Sequence, residues 1–139
     1  MSSSPTIQLI EPPAKLKVLL ADDNPDILWS VGKIVEFCGC EAQGVDGGLA
    51  ALEAVRTAMP DVVILDIGMP DMNGHDVARH IRQMPGGHDV LLVAATGWGQ
   101  QADRRETREA GFDVHLVKPI EQHDLRILLD NFRSKRFPK

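Results

Sequence analysis

The chain has 139 residues, 43% apolar and 25% charged, with a net charge of −5. That length suits one domain with a single buried core, and the composition excludes a coiled coil, a collagen-like chain and a wholly disordered one. The negative charge argues against a nucleic-acid-binding face, and no apolar run approaches the roughly 20 residues needed to cross a bilayer.

Residues 1–14 are Ser/Pro-rich, close on Pro12-Pro13 and read as a flexible N-terminal tail. The start lacks the charged-then-apolar layout of a signal peptide, which favours the cytoplasm. A rhythm of short apolar runs and amphipathic stretches follows. The runs at 17–21, 61–66, 90–95 and 114–117 are expected strands, with a weaker one at 41–45. Three are almost continuous Val, Leu and Ile, the pattern of strands buried on both faces of a parallel sheet.

Between them lie helical patterns. Ile27, Leu28, Val31, Ile34, Val35 and Cys38 share one helix face, and Asn24-Pro25 supplies a cap and a first helical residue. Leu52, Val55 and Met59 mark a second helix, stopped by Pro60. Val77, Ala78, Ile81 and Met84 mark a third, stopped at Pro85-Gly86-Gly87. Residues 100–110 form a polar pattern that offers only Ala102 and Ala110 to a core, a weakly anchored helix. Leu125, Leu128, Leu129 and Phe132 mark the last. Lys135, Arg136 and Lys139 are read as a solvated basic tail, 135–139. Cys38 and Cys40 are too few for a disulfide framework or a zinc site and read as reduced thiols. His75, His80, His88 and His123 match no metal-ligand spacing.

Five strands alternating with five helices imply right-handed βαβ units and a three-layer α/β sandwich. In such sheets ligands bind at the carboxyl ends of the strands. There the sequence places Asp22-Asp23 at the end of strand one, Asp66 at the end of strand three, Thr96 at the end of strand four and Lys118-Pro119 at the end of strand five. Three crowded carboxylates cannot all stay ionised unaided. A hard divalent cation such as Mg²⁺ offers the remedy, and Lys118 adds one positive charge. A carboxylate beside a cation and an ammonium is also a nucleophile for phosphorus, with Thr96 and Lys118 as donors to phosphoryl oxygens.

The acidic pair Asp22-Asp23, the strand 62–66 ending in Asp66, the run Met69 to Gly74, the turn Ala95-Thr96-Gly97 and the run Val117-Lys118-Pro119 occur in that order, each at an expected strand end. Over about residues 16–134 the sequence resembles the receiver domain of two-component response regulators. The resemblance implies a flavodoxin-like doubly wound (βα)5 sandwich around a five-stranded parallel sheet, occupying 15–134. It implies Asp66 as phosphoacceptor, Asp23 as direct Mg²⁺ ligand, Asp22 acting largely through water, and the Gly68 backbone carbonyl as a further ligand. It gives Thr96 and Lys118 contact with the phosphoryl group, and a cis Lys118-Pro119 bond. The implied function is phosphorelay signalling rather than enzymatic turnover. The donor would be a sensor histidine kinase or histidine phosphotransfer protein, with no direct nucleic-acid contact and no membrane insertion. The sequence leaves open a stand-alone receiver or one cut from a longer protein such as a hybrid histidine kinase.

Two positions depart from the family pattern. His115 stands where the family usually has Tyr or Phe, three residues before Lys118; it is either a switch residue or, as the favoured reading, an exposed histidine with no switching role. Trp98, two residues after Thr96, either shields a phosphoaspartate or makes a packing or partner contact; Gly68 is the matching position after Asp66. Two other classes fare worse. An aspartate-nucleophile phosphatase would need a general acid where Gly68 stands. A flavin or nucleotide binder would need a phosphate-cradling loop where the sequence has Asp22-Asp23-Asn24-Pro25.

Overall fold

A computed structural model describes residues 15–97 and 104–137. The elements run β1 Lys17–Ala21, α1 Pro25–Phe37, β2 Glu41–Val45, α2 Gly48–Thr57, β3 Val62–Asp66, α3 Gly74–Gln83, a short 3₁₀ turn Gly87–Asp89, β4 Leu91–Thr96, α4 Arg104–Ala110, β5 Val114–Val117 and α5 Gln122–Arg136. The five strands make one parallel sheet in the order β2-β1-β3-β4-β5. This is the expected doubly wound architecture.

The continuous apolar runs are explained by two separate cores. Strand side chains alternate between faces. Val18, Leu20, Val62, Ile64, Val93 and Ala95 point one way and pack with α1 and α5. Leu19, Ala21, Val63, Leu65, Leu92 and Ala94 point the other way and pack with α2, α3 and the end of α4. The weak run at 41–45 is the edge strand β2, where Glu41, Gln43 and Gly44 are exposed.

Helix ends follow local chemistry. The Asn24 side chain accepts from the Asp26 N–H, with Pro25 as the first helical residue, so α1 starts where the sequence reading placed it. Two expected helix residues fall outside. Met59 lies beyond α2, which stops at Thr57 with Ala58 already extended, and Met84 is the extended residue closing α3. Each immediately precedes a proline, whose ring disfavours helical geometry in the residue before it.

The basic end is also corrected. Lys135 and Arg136 form the last turn of α5, because Arg136 has partners. Its guanidinium lies 3.0 Å from the Asp61 carboxylate, donates to the Asp89 carbonyl and stacks over Phe132. Two more arginines staple loops. Arg82 donates to the carbonyls of Gly87, Val90 and Gly111 and pairs with Asp113. Arg133 donates to the Cys38 carbonyl and to Cys40 Sγ. Cys38 and Cys40 are free and buried, and burial pushes the Cys40 thiol above its ordinary pKa.

The loop after β3 is tied to the start of α2. Asp71 accepts from the N–H groups of Gly48 and Leu49, both at 3.0 Å. The approach is close: a Cβ on Gly48 would lie 2.7 Å from the Met72 carbonyl. Those N–H bonds, from Leu49 and then Gly48, hold the Asp71 carboxyl below its usual pKa. A depressed carboxylate stabilises the fold above its unfolded pKa and loses that effect as pH falls through the folded value. Asp71→Ala is therefore expected to lower stability at neutral pH by about 1 kcal/mol, the scale of a lost helix cap. The difference from wild type should shrink below about pH 4, as read by urea denaturation at several pH values.

Candidate functional site

The strand order reverses direction between β1 and β3, and at such a switch point an open parallel sheet leaves a crevice above its carboxyl ends. Asp66 is the last residue of β3, and Asp22 and Asp23 follow β1 directly. One carboxylate oxygen from each of Asp22, Asp23 and Asp66 lies within 4.8 Å of the others. Asp22 and Asp66 are buried and Asp23 is exposed. The sequence reading placed these three together, and the structure does the same.

Lys118 enters from the far side. Its ammonium lies 2.5 Å from one Asp22 oxygen and 3.3 Å from Asp66. The Lys118-Pro119 bond is cis, as the resemblance implied. The Lys118 N–H donates to the Thr96 carbonyl at 2.7 Å, which ties the end of β5 to the end of β4. The second Asp22 oxygen accepts from the Asn24 N–H, turning the chain into α1. Gly68 sits on the exposed turn after β3, and its N–H donates to Asp66 at 3.2 Å. That turn is compact because Gly74, at the start of α3, packs beneath it; a Cβ there would lie 2.8 Å from the Asp66 carbonyl.

Burial and charge oppose each other here. Burial raises the Asp66 pKa, against the lowering effects of Lys118 and the Gly68 N–H, and the net shift is upward. Burial by itself would lower the Lys118 pKa. The hydrogen bond to Asp22 and the charges of Asp66 and Asp22 outweigh it and hold the ammonium above its ordinary value. The site thus sets one ammonium against three carboxylates and retains an excess of negative charge.

Thr96 closes β4 and is buried. Its hydroxyl lies 2.8 Å from Nε2 of His115. This corrects the favoured reading of His115 as an exposed residue: the ring is half-buried and bonded to a site residue. Trp98 lies outside the described residues. His75, which the sequence set aside, is buried at the start of α3, with Nε2 3.2 Å from the Thr107 hydroxyl of α4 and its ring edge-on to Phe112. Thr107 is thus a second anchor for α4 beside Ala110. A single hydroxyl in a polar segment gave no periodic signal; only the fold brings it to His75.

The family model for the response regulator receiver domain matches residues 18–130. The chain belongs to this family. The chain is 35% identical over 112 residues to the sensor histidine kinase GacS of Pseudomonas protegens, a match over 78% of this chain and 12% of that protein. This receiver therefore spans about an eighth of that curated relative. Among solved structures, the chemotaxis protein CheY4 of Vibrio cholerae is 27% identical with a TM-score of 0.79, covering 86% of this chain and 99% of that one. A sensor histidine kinase receiver domain from Pseudomonas aeruginosa, with a magnesium ion coordinated in its active-site cleft, is 26% identical with a TM-score of 0.78; the match covers 86% and 98% of the two chains.

The raised Asp66 pKa carries a linkage sign. A carboxylate whose folded pKa lies above its unfolded one destabilises the fold once ionised, and this cost is absent below the unfolded pKa. In a chelating buffer, Asp66→Asn is expected to raise the urea midpoint at neutral pH, and the gain should vanish as pH falls to about 4. Lys118→Met should raise the Asp66 pKa further, read by NMR titration of the carboxyl carbon.

Proposed function

We propose that this receiver takes a phosphoryl group from a phosphohistidine onto Asp66. Its donor is a sensor histidine kinase or histidine phosphotransfer protein. The observation that carries the reading is the convergence of Asp22, Asp23 and Asp66 within 4.8 Å, with Lys118 bridging Asp22 and Asp66.

The donor set fits Mg²⁺. All the side-chain ligands are oxygens, one carboxylate is exposed, and the charge that Lys118 leaves unneutralised favours a small hard cation. Asp23 and Asp66 would hold the ion directly, Asp22 largely through water, with the Gly68 carbonyl as a further oxygen. When bound, the cation supplies charge neutralisation for the incoming phosphoryl oxygens.

The chain's own groups do the rest. An Asp66 carboxylate oxygen forms the new bond to phosphorus while the phosphorus–nitrogen bond of the donor breaks, and the donor imidazole leaves with that electron pair. Lys118 swings part of its charge from the carboxylates to the phosphoryl oxygens. The Thr96 hydroxyl donates to one of them. The added charge and acceptor oxygens then bias the neighbouring elements between two arrangements. Among the described ones, α4 is the natural responder: only Thr107 and Ala110 of its seven residues are buried. The role is signalling, with no turnover of a free substrate. Among the described residues no helix is long and apolar enough to cross a membrane, and a cytoplasmic setting agrees with phosphohistidine donors.

Incubation with acetyl phosphate and Mg²⁺, followed by intact mass measurement, should show one phosphoryl adduct. It should be absent with a chelator and absent from Asp66→Asn. Asp23→Asn should weaken Mg²⁺ affinity by about tenfold or more. An adduct that persists in Asp66→Asn, or steady phosphate release without any adduct, would overturn the assignment.

A further inference from the structure

Thr96 and His115 are joined side chain to side chain at the carboxyl edge of the sheet. His115 lies opposite Ala94 in the β4–β5 register. Side chains alternate along a strand, so Thr96, two residues on, shares that face with Ala94 and His115. The 2.8 Å separation of Oγ1 and Nε2 is that of a well-formed hydrogen bond. The ring borders a groove lined by Thr107, Arg104, Arg108 and Phe112.

A threonine hydroxyl carries one proton. A neutral imidazole has one nitrogen that accepts and one that donates, so the contact has a direction. Burial, and then the nearby charge of Arg104, push the His115 pKa below that of an ordinary histidine and so favour the neutral ring. Arg104 and Arg108 of α4 also border the groove, while Asp113 and Lys118 flank His115 along its own segment. Across β4, Asp66 ends the next strand.

Resting on the reading of Asp66 as phosphoacceptor, we infer that His115 is a positioning residue that holds the Thr96 hydroxyl proton on Nε2 and withholds it from the phosphoryl group. The single proton of Thr96 cannot serve His115 and a phosphoryl oxygen at once. Protonation releases it. When the ring takes up a proton, Nε2–H donates to the Thr96 oxygen, and the hydroxyl proton is free for the phosphoryl group. A phenylalanine would fill the same space without taking up a proton.

The test has two arms. In the resting protein, ¹⁵N imidazole NMR follows the titration of His115. Thr96→Val, which removes the hydroxyl but keeps the shape, should move the midpoint, whereas Thr96→Ser should leave it in place. In the second arm, adduct formation from acetyl phosphate and Mg²⁺ is timed for wild type and His115→Phe between about pH 5 and 7.5, reaching below the ordinary histidine range to the midpoint found by NMR. The ratio of wild-type to variant rate should rise severalfold toward acid. His115→Gln, which hydrogen-bonds but does not titrate, should show no such rise relative to His115→Phe. A His115 midpoint unmoved by Thr96→Val, or a ratio constant with pH, overturns the inference. Absence of any adduct on wild type overturns the Asp66 reading instead, and the NMR arm then decides the hydrogen bond independently.

Discussion

Everything at the carboxyl edge of the sheet depends on one ammonium between two buried carboxylates. Lys118 Nζ reaches Asp22 at 2.5 Å and Asp66 at 3.3 Å. Removing one partner from such a pair leaves a charge stranded in a poorly hydrated place, a far larger penalty than losing an exposed ion pair. The contact also closes the fold. It joins the end of β5 to the ends of β1 and β3, across 96 positions of chain between Asp22 and Lys118. The strand order that puts β1 and β3 side by side makes this closure possible, and the excess of carboxylates makes it incomplete.

Supporting contacts surround that pair. Backbone bonds from Lys118 to Thr96 and from Ile67 to Ala95 keep the strand ends level. Asp71, five residues after Asp66, caps α2 and fixes the far end of the loop that bears Gly68. His75 fastens α3 to α4 through Thr107. The site residues lie at or just past the carboxyl ends of β1, β3, β4 and β5, the first three largely buried, while the polar α4 beside them buries only Thr107 and Ala110. Rigid support next to a loosely held neighbour is the arrangement a phosphorylation switch needs.

Much of this was legible in the sequence. The doubly wound sheet followed from short Val/Leu/Ile runs separated by amphipathic stretches, and Asp22, Asp23, Asp66, Thr96 and Lys118 stand out because they lie at or just past the ends of those runs. These signals are local and periodic, so one chain suffices to show them. Other features were not legible, because they join residues that no period relates. Arg82, Arg133 and Arg136 each clamp loops far away in sequence, and nothing around Arg136 distinguished it from a solvated end. His115 was read as exposed because one histidine in a short strand carries no sign of its neighbour; only the β4–β5 register sets it beside Thr96. The helices stop short of Met59 and Met84 because of the prolines that follow, although both residues continue the apolar pattern of their helices.

The two cores have a consequence for how such a domain diversifies. Among the described residues no apolar side chain belongs to both, since each strand residue commits to one face of the sheet. Substitutions far apart and without shared neighbours combine almost additively. A volume change beneath α3 and α4 therefore has to be absorbed on that side, leaving the packing of α1 and α5 largely undisturbed. The sheet acts as a partition between two evolving surfaces. Lineages can remake the contacts on one side while the other side stays as it was, with the carboxylates at the rim as ground that the two sides hold in common.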